Sequence, residues 1–274
     1  MHIFVRYLAV SLLASTGLAQ LCFAQEADNI RIGKLVIESN SLPEADRERI
    51  VRLFQHKTYL QVEIGVRIGV ALRNLGYDRT VVDEPTISFP SQGVRKGTAR
   101  VTVKVQQGAQ YRLGEIHFRK ATIFPATRLR NLFSVRSGEI FNVGKIVEGL
   151  EDLRKLYGTK GYVNFAAVPE TSIDESHRTI DLVVDVDEGK PYNFGQLRLE
   201  GIEPYAGAGQ ALLNSWKTLE GKRYNSLELE HWLLAHHLDW KVGTRVSDSI
   251  RIAPDPVSPV VNVKLTQWPE RLNQ

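Results

Sequence analysis

Gly33, Gly114 and Gly195 stand 81 residues apart, twice over, and each opens the same alternating stretch: GKLVIE, GEIHFR and GQLRLE. Gly108 and Gly189, Tyr111 and Tyr192, Val103 and Val184, and Val105 and Val186 share that spacing of 81. One recurring glycine is a common accident, but glycines, tyrosines and valines in one register are not. The chain of 274 residues therefore reads as three units, 31–111, 112–192 and 193–269. The period exceeds the roughly 20–50 residues of solenoid repeats, so each unit reads as a small domain.

The middle unit shows the internal order. Ile116 and Phe118 alternate with polar residues, the two-residue period of a half-buried strand. Pro125 offers a first-turn proline for a short helix through Leu129, Leu132 and Phe133. Asn142 is an N-cap for a second helix whose stripe is Val143, Ile146, Val147, Leu150, Leu153 and Tyr157, ended by Gly158 and Gly161. Strands follow at 162–168 and 179–187 around a polar turn at 174–177. The order is β-α-α-β-β.

The first unit repeats it. Ser41 and Glu44 have capping-box spacing, a second helix runs to Leu75 and ends at Gly76-Tyr77, and strands follow near 79–89 and 98–106. The third unit is degenerate: Leu227, Leu234 and Leu238 give its helical stripe, Asn225 and Glu228 its cap, and Val261, Val263 and Leu265 its last strand. Leu238-Asp239-Trp240 replaces the Gly-Tyr step.

The N-terminus reads as a secretory signal over residues 1–24, with Arg6, a short apolar run from Tyr7 to Leu13, and small residues leading to Ala24. That run falls short of the ~20 apolar residues of a spanning helix. An uncleaved N-terminal anchor is the alternative. Cleavage after Ala24 removes Cys22, the one cysteine, and with it any thiolate chemistry. The 35 basic and 31 acidic residues are interleaved and leave a net charge of +4, without the basic block of a nucleic-acid or lipid binder.

No catalytic or metal constellation stands out, and no cofactor is implied. His231, His236 and His237 lack the four-residue spacing that puts two ligands on one helical face. Asp185 and Asp187 alternate with Val184 and Val186, so they and Glu188 read as a solvated strand face and not a calcium loop. Arg128, Arg130 and Arg136 read as a solvated face as well. Gly76-Tyr77 and Gly161-Tyr162 read as helix ends, glycine supplying the left-handed turn.

Gly138 with Phe141-Asn142, then LRKLYGTKGY, NFAAVPET, DVDEGKPY and GQLRLEGI, resemble the polypeptide-transport-associated (POTRA) domain, specifically in the middle unit, well in the first and partly in the third. The resemblance implies an α+β fold of three tandem β-α-α-β-β domains, each a three-stranded mixed sheet with two helices on one face. In the BamA and TamA types such domains precede a membrane β-barrel. This sequence ends at Gln274, which suggests the domains without their barrel. The resemblance also implies an exported, periplasmic protein, associated with the outer membrane or peripheral to it.

In this family the strand after the second helix lies at a sheet edge, where unpaired N–H and C=O groups accept a strand from another chain. The candidate edges are Arg79, Val81 and Asp83 in the first unit and Val163, Phe165 and Ala167 in the second, limited by Pro85 and Pro169. Gly108, Tyr111 and Gly114, and likewise Gly189, Tyr192 and Gly195, read as domain junctions with almost no linker. The expectation is a non-enzymatic binder of unfolded or extended polypeptides, or of an outer-membrane barrel or lipoprotein partner, working in outer-membrane protein assembly or secretion. An anchored envelope or division scaffold and an envelope hydrolase are the other readings.

Overall fold

The computed structural model describes residues 29–90, 98–200, 206–236 and 250–266. The signal segment, His237 and the Leu238-Asp239-Trp240 step lie outside the described residues. The chain packs as two compact units, one reaching to His117 and including Phe133–Glu148 and Glu170–Val183, the other made of Phe118–Leu132, Gly149–Pro169 and Val184 onward.

The first unit carries a five-stranded sheet. Strand β1 (Asn29–Glu38) is followed by helix α1 (Glu44–Phe54), strand β2 (Thr58–Leu60), helix α2 (Gln61–Asn74), and strands β3 (Val81–Val82), β4 (Thr86–Ser88) and β5 (Thr98–Gln106). Their order is β2-β1-β5-β3, with β4 also on β5. Three strands were expected. The turn between the helices adds β2 antiparallel to β1, and the strand after α2 is broken around Pro85, which has no N–H for the ladder. The β1–β5 pair is parallel, and its inward valines and isoleucines meet Ile50, Phe54, Ile64, Ile68 and Leu72 of the helices. Each such side chain contributes ~1.5–3 kcal/mol by leaving water.

The capping box at Ser41 and Glu44 does not form. Helix α1 starts after Pro43 with no side-chain cap, and the Ser41 hydroxyl instead accepts a 2.6 Å bond from Gln107 Nε2.

Strand β6 (Arg112–Arg119), helices α3 (Ala126–Arg130) and α4 (Val143–Gly158), and strands β7 (Ala166–Asp174) and β8 (Thr179–Asp187) follow, and the sheet order is β6-β8-β7. Asn142 caps α4 as its position predicts, accepting from the Lys145 N–H at 2.9 Å. Ile146, Leu153 and Tyr157 are buried on α4, whereas Val147 is exposed.

The last sheet holds β9 (Asn193–Leu199), β10 (Ile250–Pro254) and β11 (Val260–Leu265) in the order β10-β11-β9, with helices α5 (Ala206–Trp216) and α6 (Ser226–Ala235). Its core is aromatic: Trp216 meets Phe194 and Trp232 edge-on at centroid distances of 5.6 and 5.0 Å. Trp216 Nε1 donates to the Gly195 carbonyl at 2.8 Å, so its one polar atom is not stranded. The stripe read at Leu227 and Leu234 is corrected: both are about half exposed, and Leu229 and Trp232 face the core. Asn225 does cap α6, accepting from the Leu227 N–H at 3.0 Å.

The three repeated glycines all face a side chain of a neighbouring strand. At Gly33 and at Gly195 the pairing with the neighbouring parallel strand slips its register. A Cβ on Gly33, Gly114 or Gly195 would come within 2.7 Å of Thr98 Cβ, 1.9 Å of Asp181 Oδ1 or 2.4 Å of Asn262 Oδ1. At the last two, that oxygen accepts the next N–H, from Glu115 at 2.7 Å and Gln196 at 2.9 Å. At Gly195, where both are seen, a bulge frees the N–H, a side chain of the neighbouring strand takes it, and only glycine leaves room.

Candidate functional site

Strand β3 is one edge of the first sheet, at the end opposite β2. Val81 lies opposite Gln106 and Val82 opposite Val105, and the Asp83 N–H donates to the Lys104 carbonyl at 3.0 Å. In an antiparallel pair alternate residues bond inward, so the N–H and C=O of Val82 point away from β5. Beside this edge, α2 presents Val62 and Val66, 75% and 66% exposed, on the face opposite its buried Ile64, Ile68 and Leu72. Helix and edge bound an open groove of about 580 Å³, lined by Val62, Gly65, Val66, Gly69, Val82 and Pro85 among others. The glycines bring the helix close: a Cβ on Gly65 would lie 3.5 Å from Pro85 Cδ, and one on Gly69 3.6 Å from Val82 Cγ2.

Of the first-edge candidates, Val81 is thus in the strand and Asp83 just beyond it, bonded inward. Arg79 is not part of the edge: it sits in a left-handed turn at φ 54°, and its guanidinium lies 3.0 Å from Glu175.

The second edge needs a larger correction. The strand was read from Tyr162, but β7 starts at Ala166, so only Ala167 of the three candidates lies on it. Gly161, at φ +89°, turns the chain, and Phe165 buries its ring 4.1 Å from that of Tyr157 in a near-parallel stack. Val163 packs against the aromatic core around Phe194. Strand β7 exposes Val168 and carries Pro169 inside it, a placement an edge tolerates. A third edge, β10, was missed, although Ile250 and Ile252 alternate before Pro254; the degenerate repeat gave no period to look for it.

The junction residues do come together. The Tyr111 N–H donates to the Gly76 carbonyl and the Phe141 N–H to the Tyr111 carbonyl, at 2.9 and 3.0 Å. The Tyr192 N–H donates to Gly161 and the Tyr224 N–H to Tyr192, both at 2.9 Å. Gly76 and Gly161 are therefore more than helix ends. A Cβ on either would meet the tyrosine carbonyl at 2.9 or 2.8 Å. Gly108, at φ +70°, would press a Cβ to 2.1 Å from the Asp78 carbonyl, and Gly189 turns at φ +64°. Tyr111 donates its hydroxyl to Glu175 at 2.5 Å; burial, then that carboxylate, pushes its pKa up to about 12.

No group of three metal-ligating side chains occurs among the described residues. Asp185 pairs with Lys120 at 3.0 Å, and Glu188 accepts bonds from Thr122, Ile123 and Tyr157. Asp174, Ser176 and His177 share one exposed turn in which both partners bond to Asp174, holding its carboxyl far below the usual range. A serine and a histidine spent on the same carboxylate make no nucleophile relay. What the groove offers is backbone pairing beside an apolar wall.

Helices laid on mixed sheets, with open edges and glycine-tight joints, define a class of modular α+β domains strung in tandem. The POTRA family model, described as a surface antigen variable number repeat, matches residues 111–189. The structure of BamA POTRA domains 3–5 from Haemophilus influenzae covers 92% of this chain and 100% of its own, at 19% identity and a TM-score of 0.65. BamA from Haemophilus ducreyi lacking POTRA domains 1–3 matches at 14% identity and a TM-score of 0.43, over 62% of this chain and 32% of its own. POTRA domains 1–3 of Omp85 from Anabaena match at 16% identity and 0.35, over 89% and 98%. The family match is confined to residues 111–189, and the fold of the chain is that of tandem POTRA domains.

Proposed function

We propose that this chain is an exported, periplasmic polypeptide binder that works in outer-membrane protein assembly or secretion, as a scaffold and not as a catalyst. Its domains are 31–111, 112–192 and 193–269, its signal 1–24, and its partners extended polypeptides and a barrel or lipoprotein of the outer membrane. The observation that carries the reading is the groove in which the outward backbone of Val82 stands beside the exposed Val62 and Val66. An added strand gains backbone bonds from the edge and apolar contact from the helix, and neither demands one sequence. No helix among the described residues is long and apolar enough to cross a membrane.

The test is fluorescence anisotropy with labelled peptides copied from transmembrane strands of an outer-membrane barrel. Val82→Pro removes an outward donor and leaves the inward ladder bonds, so binding should weaken about tenfold, the scale of one or two lost hydrogen bonds. Unchanged binding by Val82→Pro and by Val66→Glu would sink strand addition at this edge. N-terminal sequencing of the exported protein should give a start at Gln25.

A further inference from the structure

The two joints share their backbone bonds but not their side chains. At the first, Asn74, near the end of α2, reaches the start of α4: its Oδ1 accepts from the Gly144 N–H at 2.8 Å and its carbonyl from Asn142 Nδ2 at 2.8 Å. A helix leaves its first N–H groups without partners inside the helix. In α4 they are divided between two asparagines, Asn142 taking Lys145 and Asn74 taking Gly144. Gly144 makes the approach possible, since a Cβ there would lie 3.3 Å from both side-chain oxygens. Gln110 Nε2 adds a bond to the Leu75 carbonyl at 2.8 Å. Arg79 and Tyr111 converge on Glu175, but that ion pair is exposed and contributes little.

Gly161-Tyr162 takes the place of Gly76-Tyr77 at the second joint, and Thr159 stands where Asn74 stands at the first. Thr159 Oγ1 bonds back to the Leu156 carbonyl of its own helix at 2.7 Å, and Asn225 caps α6 from α6's own N-cap position. The Tyr192 hydroxyl accepts from Asn164 Nδ2 at 2.9 Å, a bond between two residues of the middle repeat.

We infer that the first joint is a locked one and that Asn74 is its bolt, a helix cap supplied from the preceding repeat, so that the first and middle repeats move together. The inference stands apart from polypeptide binding. In the full chain, nitrogen-15 relaxation should give the first and middle repeats one rotational correlation time. Two distinct times in the native chain would overturn the lock without any variant. Asn74→Ala should separate those times and lower the hydrogen-exchange protection of the Gly144 amide about fivefold, the scale of a lost N-cap. Val101, deep in the first sheet, should keep its protection. Asn74→Asp keeps an acceptor at a helix N-terminus and should restore both readings. Thr159→Ala should change neither joint. Unaltered Gly144 protection and shared tumbling in a folded Asn74→Ala would reject the bolt.

Discussion

Gln107 and Glu188 stand 81 residues apart and hold the same post, each just past the end of its sheet's central strand and tied to the loop after the first strand. Gln107 accepts from the Ser39 hydroxyl at 2.8 Å and donates to Ser41. Glu188 accepts from the Thr122 N–H at 2.7 Å and from the Thr122 hydroxyl, and Thr122 is the repeat partner of Ser41. Glu188 also accepts from Tyr157, whose side chain is wholly buried. Glu188→Ala would leave that hydroxyl without an acceptor, and the loss of stability should be about 1–3 kcal/mol in urea unfolding.

The carboxylate adds a pH dependence that Gln107 lacks. Burial alone would raise the pKa of Glu188, but bonds from Thr122, Ile123 and Tyr157 outweigh it and hold the pKa below the ordinary value. A folded pKa below the unfolded one gives stability that is present above the unfolded value and lost as pH falls through the folded one. Glu188→Gln should therefore lose less stability than the native chain below about pH 4.3. Equal acid sensitivity in the two proteins would count against this assignment.

The left-handed glycines divide into two kinds. Gly138 and Gly221, at φ +84° and +79°, have nothing within 4 Å of a built Cβ, so alanine there should cost about 1 kcal/mol of backbone strain. Gly76 and Gly161 share that conformation but face the carbonyls of Tyr111 and Tyr192. Alanine at Gly76 or Gly161 should cost about 2 kcal/mol more than at Gly138, because the joint must also open. Thermal unfolding of the four variants side by side checks the ranking.

The repeat made these places legible before their cause was visible. Alternation and glycine spacing placed β1, β6, β9 and the ends of β8, and the caps at Asn142 and Asn225 were readable because capping is local chemistry. Ser41 and Glu44 had the same local signature and failed, because Gln107, 66 residues away, claims the Ser41 hydroxyl. The second edge was misplaced for a similar reason. Tyr162 to Phe165 reads as strand, but Phe165 stacks on Tyr157 and the strand starts only after it, at Ala166. Val62 and Val66 were invisible as a site, since exposed valines on a helix carry no pattern until the edge beside them is known.

Gly114 and Asp181 should behave as a coupled pair. The Asp181 carboxylate accepts the Glu115 N–H and occupies the space where a Gly114 side chain would be. Gly114→Ala must push that carboxylate away and lose the bond. In an Asp181→Ala background the bond is already gone and the space is open, so Gly114→Ala should cost about 1 kcal/mol less there. A double-mutant cycle in urea measures the difference, and strict additivity would mean that the Asp181 contact does not select the glycine.

Gly65 offers a way to separate folding from binding. Glycine in a helix interior costs about 1 kcal/mol relative to alanine, and α2 carries two, at 65 and 69. Because a Cβ on Gly65 would sit in ordinary contact with Pro85, Gly65→Ala should fit and stabilise the chain by up to about 1 kcal/mol. The added methyl also raises the floor of the groove beside β3. Thermal unfolding should therefore rise while affinity for barrel-strand peptides falls several-fold, a pairing that damage to the fold cannot produce. If Gly65→Ala stabilised the chain and bound as before, the occupant would lie on the strand edge alone, and the valine face of α2 would have no part in recognition.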